Sequence, residues 1–196
     1  MSPGPLPAAA TGDSNDPLSP HASGIFYFQG AEHRMILVEP TVYSETKTGG
    51  MFKTVMTSGI AKAKMKALIN DAHAALQMHE ARPTFYFYFN GRSSGLTDSA
   101  DSGVSNPNEF LLARMESKKD HRELVVGKAG VFGENSGAES KDTLAFDVQK
   151  IGADAYRVQP RTDLEPGEYC FLYPGSTRAM GMMGGKLAAF GINTPR

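Results

Sequence analysis

The chain has 196 residues, with 20 Lys+Arg against 21 Asp+Glu, five His, one Cys and no Trp. That length is ample for one domain with a buried core, and 40% hydrophobic against 21% charged residues excludes wholesale disorder. A net charge of −1 lacks the basic surplus of a dedicated nucleic-acid binder, and no apolar run is long enough for a membrane-spanning helix.

Gly 21 and Pro 12 make up about 17% of the residues, against roughly 12% in average usage, which points to many turns between short strands. The first 23 residues are rich in Pro, Ser, Ala and Gly and almost free of large apolar side chains. Burial there cannot offset the ordering entropy, so residues 1–23 read as a flexible tether of the kind that follows a removed signal or anchor. Residues 24–196 read as one domain.

Strand signals then follow in order. Ile25-Phe26-Tyr27-Phe28 is closed by Gly30, and Arg34–Glu39 is stopped by Pro40. Met51–Thr57 follows a polar loop. Between Ile60 and Ile69 two readings stay open. The Ala, Lys, Met and Leu content suits a helix, while Lys62, Lys64 and Lys66 alternate with apolar residues as on a strand. Such a lysine face is solvated or guards a sheet edge against pairing. Asn70-Asp71 supplies a turn, and Ala74–Met78 a short strand.

The clearest strand is Phe85-Tyr86-Phe87-Tyr88-Phe89, entered at Pro83 and left at Asn90-Gly91. Its three Phe share one face and its two Tyr the other. With five large side chains, both faces should be covered, as in the centre of a two-layer structure. Residues 92–108 read as a long polar loop. Glu109–Glu116 and Arg122–Val126 read as a hairpin, and 127–141 as a Gly-rich loop. Thr143–Val148, Ala155–Gln159, Gly167–Tyr173 and Leu187–Ile192 complete about eleven short strands. The expected fold is all-β and mainly antiparallel, a sandwich of immunoglobulin-like or jelly-roll-like type with at most one or two short helices. Cys170, between Tyr169 and Phe171, reads as a small buried strand residue; a lone Cys makes no internal disulfide.

Motifs with chemical meaning are weak. Gly91-Arg92-Ser93-Ser94-Gly95 fits G-x-S-x-G, but the helix that should follow is missing, so Ser93 is a poor nucleophile candidate. Gly127–Gly133 fails G-x-G-x-x-G, and Gly184-Gly185-Lys186 lacks the Ser or Thr of a P-loop. His73 and His79 lie six apart, a spacing that makes a metal pair only on a continuous strand. Asp98 and Asp101 are too few carboxylates for a calcium cage, and His121 sits in a charged turn. No catalytic, cofactor-binding or metal-binding residue is therefore assigned, and no cofactor is expected. Leu164-x-Pro-Gly-x-Tyr169-x-Phe171 is similar to the tyrosine corner that leads a loop into a strand of immunoglobulin-like sandwiches, with Pro166-Gly167 suited to a type II turn.

FYFYF at 85–89, NPNEF at 106–110, RELVVGK at 122–128, LEPGEYCF at 164–171 and FGI at 190–192 occur in this order. The set resembles a family of bacterial proteins, exported or lipid-anchored, to which no activity is assigned. The resemblance covers residues 24 to 192. It implies a β-rich fold and a periplasmic, extracellular or envelope-associated location, and it carries over no catalytic residue. The expectation for function is a non-enzymatic β-sandwich that binds a protein or envelope component through its long loops at 92–108 and 127–141. The alternatives are a hydrolase using Ser93 or carboxylates such as Glu109 and Asp101, and a metal or small-ligand binder.

Overall fold

Period-two alternation of large apolar side chains dominates the chain, and almost every run of it pairs into a sheet. The computed structural model describes residues 13–48, 63–89, 104–130, 133–136, 142–173 and 185–194. In chain order the strands are β1 (Gly24–Gln29), β2 (Arg34–Leu37), β3 (Pro40–Thr48), β4 (Ala63–Asn70), β5 (Gln77–Met78), β6 (Thr84–Tyr88) and β7 (Leu111–Ser117). They continue with β8 (His121–Gly130), β9 (Gly133–Ser136), β10 (Thr143–Leu144), β11 (Phe146–Lys150), β12 (Ala155–Pro160), β13 (Gly167–Leu172) and β14 (Gly185–Ile192). Two single 3-10 turns, Gly30–Glu32 and Pro107–Glu109, are the helical elements among the described residues. The all-β, sandwich-like expectation is met.

One layer is a five-stranded antiparallel sheet in the order β11-β12-β6-β1-β2. The other is nearly a barrel. β7, β13, β14, β3, β4 and β8 pair in succession, and β8 returns to β7 through Glu116↔Glu123 and Ser117↔Arg122. β3 makes the ring possible by serving both halves: its start pairs with β14 and its remainder with β4. β9 extends β8, β10 lies against β7, and the two-residue β5 runs parallel to the end of β14.

Strands shared by sandwich and barrel are buried on both faces, which explains why Gly167–Leu172 (GEYCFL) reads as a nearly continuous apolar run. Tyr169 and Phe171 face the five-stranded sheet, whereas Cys170 and Leu172 fill the barrel. β14 divides likewise, with Phe190 and Ile192 toward the sheet and Leu187 and Ala189 inward. The inter-layer core is aromatic. Phe171 meets Phe85 and Phe87 edge-on, each at 5.0 Å between ring centroids. Such pairs contribute about 0.5–1.5 kcal/mol beyond the area they bury.

Several expectations need correction. Residues 63–70 are strand; pairing with β3 and β8 overrides helix propensity. Lys62 lies outside the described residues, and Lys66 is an ion-pair partner rather than a solvated guard, its Nζ 2.5 Å from Glu123 Oε2. Of the stretch read as a loop over 127–141, residues 127–130 and 133–136 pair as antiparallel strands, because a ladder needs only backbone groups and Gly supplies them. A bulge between Met65 and Lys66 in the β4–β8 register sits beside this glycine-containing stretch. The expected strand over 74–78 shrinks to Gln77–Met78. Met51–Thr57 lies outside the described residues.

The expected hairpin of β7 and β8 forms at its turn, where Lys118 N–H donates to the His121 carbonyl at 2.8 Å. Beyond Glu116 the strands separate, β7 taking β10 on that edge and β8 taking β9, while β4 stays paired along the other edge of β8. The fork leaves a cleft of about 270 Å³ bordered by Lys66, Arg114, Glu116, Glu123 and Asp142.

Tyr169 makes the expected corner. Its hydroxyl donates to the Glu165 carbonyl at 2.8 Å, tying the incoming loop to the strand it becomes. Gly167 departs from the type II expectation: its φ of 156° is far from the value near +80° that such a turn requires, and it already begins β13.

Candidate binding face

Two places concentrate polar or exposed aromatic groups. The first is one end of the barrel. Arg122 and Glu168 point inward beside Leu124 and Cys170, and both are buried. Glu168 Oε2 accepts from the Ala74 N–H at 2.8 Å and lies 3.5 Å from Arg122 Nη1, while Oε1 accepts from Gln77 Nε2 at 3.1 Å. His73 Nδ1 approaches the same Oε1 at 3.1 Å. Arg122 also donates to the carbonyls of Asp71 and Asn70, where Asp71 turns the chain with a φ of 68°. Burial pulls the guanidinium below its ordinary value and pushes the neighbouring Cys170 thiol up to about 12. Every group here closes the barrel or holds the 71–77 loop over it, and the carboxylate has its acceptor sites taken. The chemistry is that of a plug.

The second place is the solvent side of the five-stranded sheet. Because Ile25, Tyr27, Phe85, Phe87 and Val158 are committed to the core, the alternate residues must face outward. These are Met35 and Leu37 on β2, Phe26 and Phe28 on β1, Tyr86 and Tyr88 on β6, and Arg157 and Gln159 on β12. The register sets Phe26 opposite Tyr86 and Tyr86 opposite Arg157, so the residues form a continuous surface. Phe28 meets Tyr86 edge-on at 5.9 Å and His33 at 5.4 Å. Phe26, Phe28, Tyr86 and Met35 are half-buried, and Leu37 is 41% exposed. The expectation that both faces of β6 are covered holds at Tyr88 and stops short at Tyr86.

Tyr88 is covered by the chain's own beginning. Of the stretch read as a tether, residues 13–23 are described, and 13–19 make two successive turns, with Asp16 N–H donating to the Asp13 carbonyl and Ser19 N–H to Asp16, each at 3.0 Å. The His21 ring lies 4.5 Å from the Tyr88 ring and 5.4 Å from Phe26. The Tyr88 hydroxyl donates to the Pro17 carbonyl at 2.8 Å, and Asn15 Oδ1 accepts from the Met35 N–H at 3.2 Å on the outer edge of β2. Burial raises the Tyr88 phenol well above its ordinary value, so it stays a donor at any ordinary pH.

The chain matches no protein-family model, no curated protein and no solved structure.

Its function therefore has to be read from its own residues. Ser93, Asp98 and Asp101 lie outside the described residues. Glu109 is a capping residue: its carboxylate accepts from the Ser105 and Asn106 N–H groups at the start of the 3-10 turn. His73 and His79 do not share a strand. His73 leans on Glu168, and His79 Nδ1 donates to the Thr194 carbonyl at 3.2 Å. His121 bridges Asp120 and Glu123. Among the described residues no group of three His, Cys, Asp or Glu is placed to hold a metal ion. Sequence reasoning missed both places above. Alternation already put Glu168 on the face of Cys170, and Phe26 opposite Ile25, but it could not say what either face meets.

Proposed function

We propose that this chain is a non-catalytic binding domain that engages a protein or an envelope component, and that it works in the bacterial cell envelope. The observation that carries the binding reading is the solvent side of the five-stranded sheet. Phe26 and Tyr86 stand there in register with Phe28 edge-on to Tyr86, all three half-buried and rimmed by Arg157 and Gln159. Aromatic side chains with an Arg beside them are what binding surfaces concentrate, because they desolvate much area at little entropic cost. A scattered single hydrophobe such as Val42 on the barrel needs no such account. The envelope location is supported by the family resemblance alone.

A photo-crosslinking residue placed at Phe28 or Tyr86 and irradiated in the native envelope tests the reading. Discrete adducts are expected from these two positions and none from the control position Val42. Equal adducts from all three, or none from the sheet, would overturn it.

A further inference from the structure

The segment Asp13–His21 is seated on the five-stranded sheet without belonging to it; among the described residues it pairs with no strand. Its anchors are the Asn15 Oδ1 bond to the Met35 N–H, the Tyr88 hydroxyl bond to the Pro17 carbonyl, and the His21 ring against Tyr88 and Phe26. None of its residues is buried, and Leu18, its one large apolar side chain, is 75% exposed. A groove of about 500 Å³ stays open between the segment and the turn after β11, walled by Leu18, Pro20, Tyr88, Ile151 and Ala155. A segment serving only to complete the core would fill that space and bury its leucine.

We infer that Asp13–His21 is an internal ligand, seated where a partner binds, and that the partner is an acidic, proline-containing peptide segment. The inference rests on the sheet face being the binding surface, and names what that surface takes.

The proline follows from the seat. The Tyr88 hydroxyl is met by a prolyl carbonyl, and proline brings no N–H to be left unpaired against a ring. Its fixed φ also lowers the ordering cost, which is one reason recognition modules set proline-rich segments on aromatic grooves. The charge follows from Arg157. It lies two positions beyond Ala155 along β12, on the same face and opposite Tyr86, while the seated segment carries Asp13 and Asp16 and no Lys or Arg. With so few anchors, the tether keeps the segment in place by supplying an effective concentration in the millimolar range. A partner segment gains by displacing it.

A fluorescent peptide of residues 13–23, DSNDPLSPHAS, tests this in trans by anisotropy. It is titrated with the unaltered full chain and with the full-chain variant N15A/P17G/P20G/H21A, whose seat is intact but whose own segment is weakened. The variant should bind the peptide about tenfold tighter, as expected when a tether at ~1 mM competes for a seat with a Kd near 0.1 mM. The milder variant N15A/H21A gives the same comparison, with a smaller gain, should the fourfold variant fail to fold. Equal affinity for variant and unaltered chain, or no binding to either variant, overturns the inference. So does equal binding of a control peptide with Pro17 and Pro20 replaced by Gly. The crosslinking result is separate. Partner adducts at Phe28 or Tyr86 without peptide binding would sink the internal ligand and keep the binding face. Peptide binding without adducts would keep the seat and sink the envelope partner.

Discussion

Arg122 and Glu168 meet inside the barrel from the two strands that flank β7, Nη1 to Oε2 at 3.5 Å, with side chains 3% and 4% exposed. Taking both charges out of water is costly, and their attraction with the surrounding hydrogen bonds offsets that cost only while both are present. Arg122→Met should therefore destabilise by about 3–5 kcal/mol, because it strands a buried carboxylate. The double variant Arg122→Met/Glu168→Met should lie closer to the unaltered protein than Arg122→Met does. Urea unfolding of the three proteins measures this, and a double variant worse than the single would contradict it.

Tyr169→Phe keeps the ring stacked 5.8 Å from Phe190 and removes only the hydroxyl bond to the Glu165 carbonyl. A loss of about 1 kcal/mol is expected, the ordinary net value of one such bond. Thermal or urea melting would show it as a modest shift with unchanged cooperativity.

Gly191 is where Gln77 crosses the end of β14, and a Cβ there would collide with the Gln77 carboxamide. That carboxamide is held by the Ala74 carbonyl and by Glu168, so it cannot swing away freely. Gly191→Ala should cost about 1–3 kcal/mol as overpacking. Adding Gln77→Ala should recover part of the loss. Simple additivity in the double-mutant cycle would refute the contact.

Around His121, Asp120 Oδ1 lies 2.6 Å from Nδ1 and Glu123 Oε1 lies 3.2 Å from Nε2. The hydrogen bond to Asp120, then that to Glu123, holds the imidazolium above its ordinary value of 6.5. The folded state thus binds this proton more tightly than the unfolded chain. The resulting stability is complete below about pH 6.5 and disappears as pH rises through the raised value. Asp120 is lowered chiefly by His121, and Glu123 chiefly by Lys66. Their contribution is present above about pH 4.5 and lost as pH falls through the lowered values. Melting temperature should decline from pH 5.5 to 8.5, and His121→Gln should flatten that decline. The effect should shrink in high salt, since these groups are near the surface.

Cys170 is fully buried in the barrel, with its thiol pushed up to about 12 by burial. A thiol reagent at pH 8 should leave it untouched in the folded protein and label it only across the urea transition. Rapid labelling without unfolding would show that the barrel opens locally.

The sequence made the β class, the central FYFYF strand and the tyrosine corner legible, because each depends on local alternation or on a few adjacent residues. Cys170 was legible as a small buried strand residue for the same reason. Lys66 was misread, since its partner Glu123 lies on β8 and no periodicity along β4 points to it. Within the Gly-rich 127–141 stretch, residues 127–130 and 133–136 were misread because glycine forms ladder bonds as well as any residue once a neighbouring strand is fixed.

What the sequence determined by itself was which residues share a face: Phe85 with Phe87, Tyr86 with Tyr88, Glu168 with Cys170. A side-chain period of two dictates that much without reference to the rest of the chain. The tertiary structure alone decided what each face meets. It closed β7 onto β8, brought Arg122 to Glu168, and turned Phe28 and Tyr86 toward solvent while packing Phe85 and Phe87 against Phe171. Strand order arises from contacts between residues far apart in the chain, and a period of two contains no information about them.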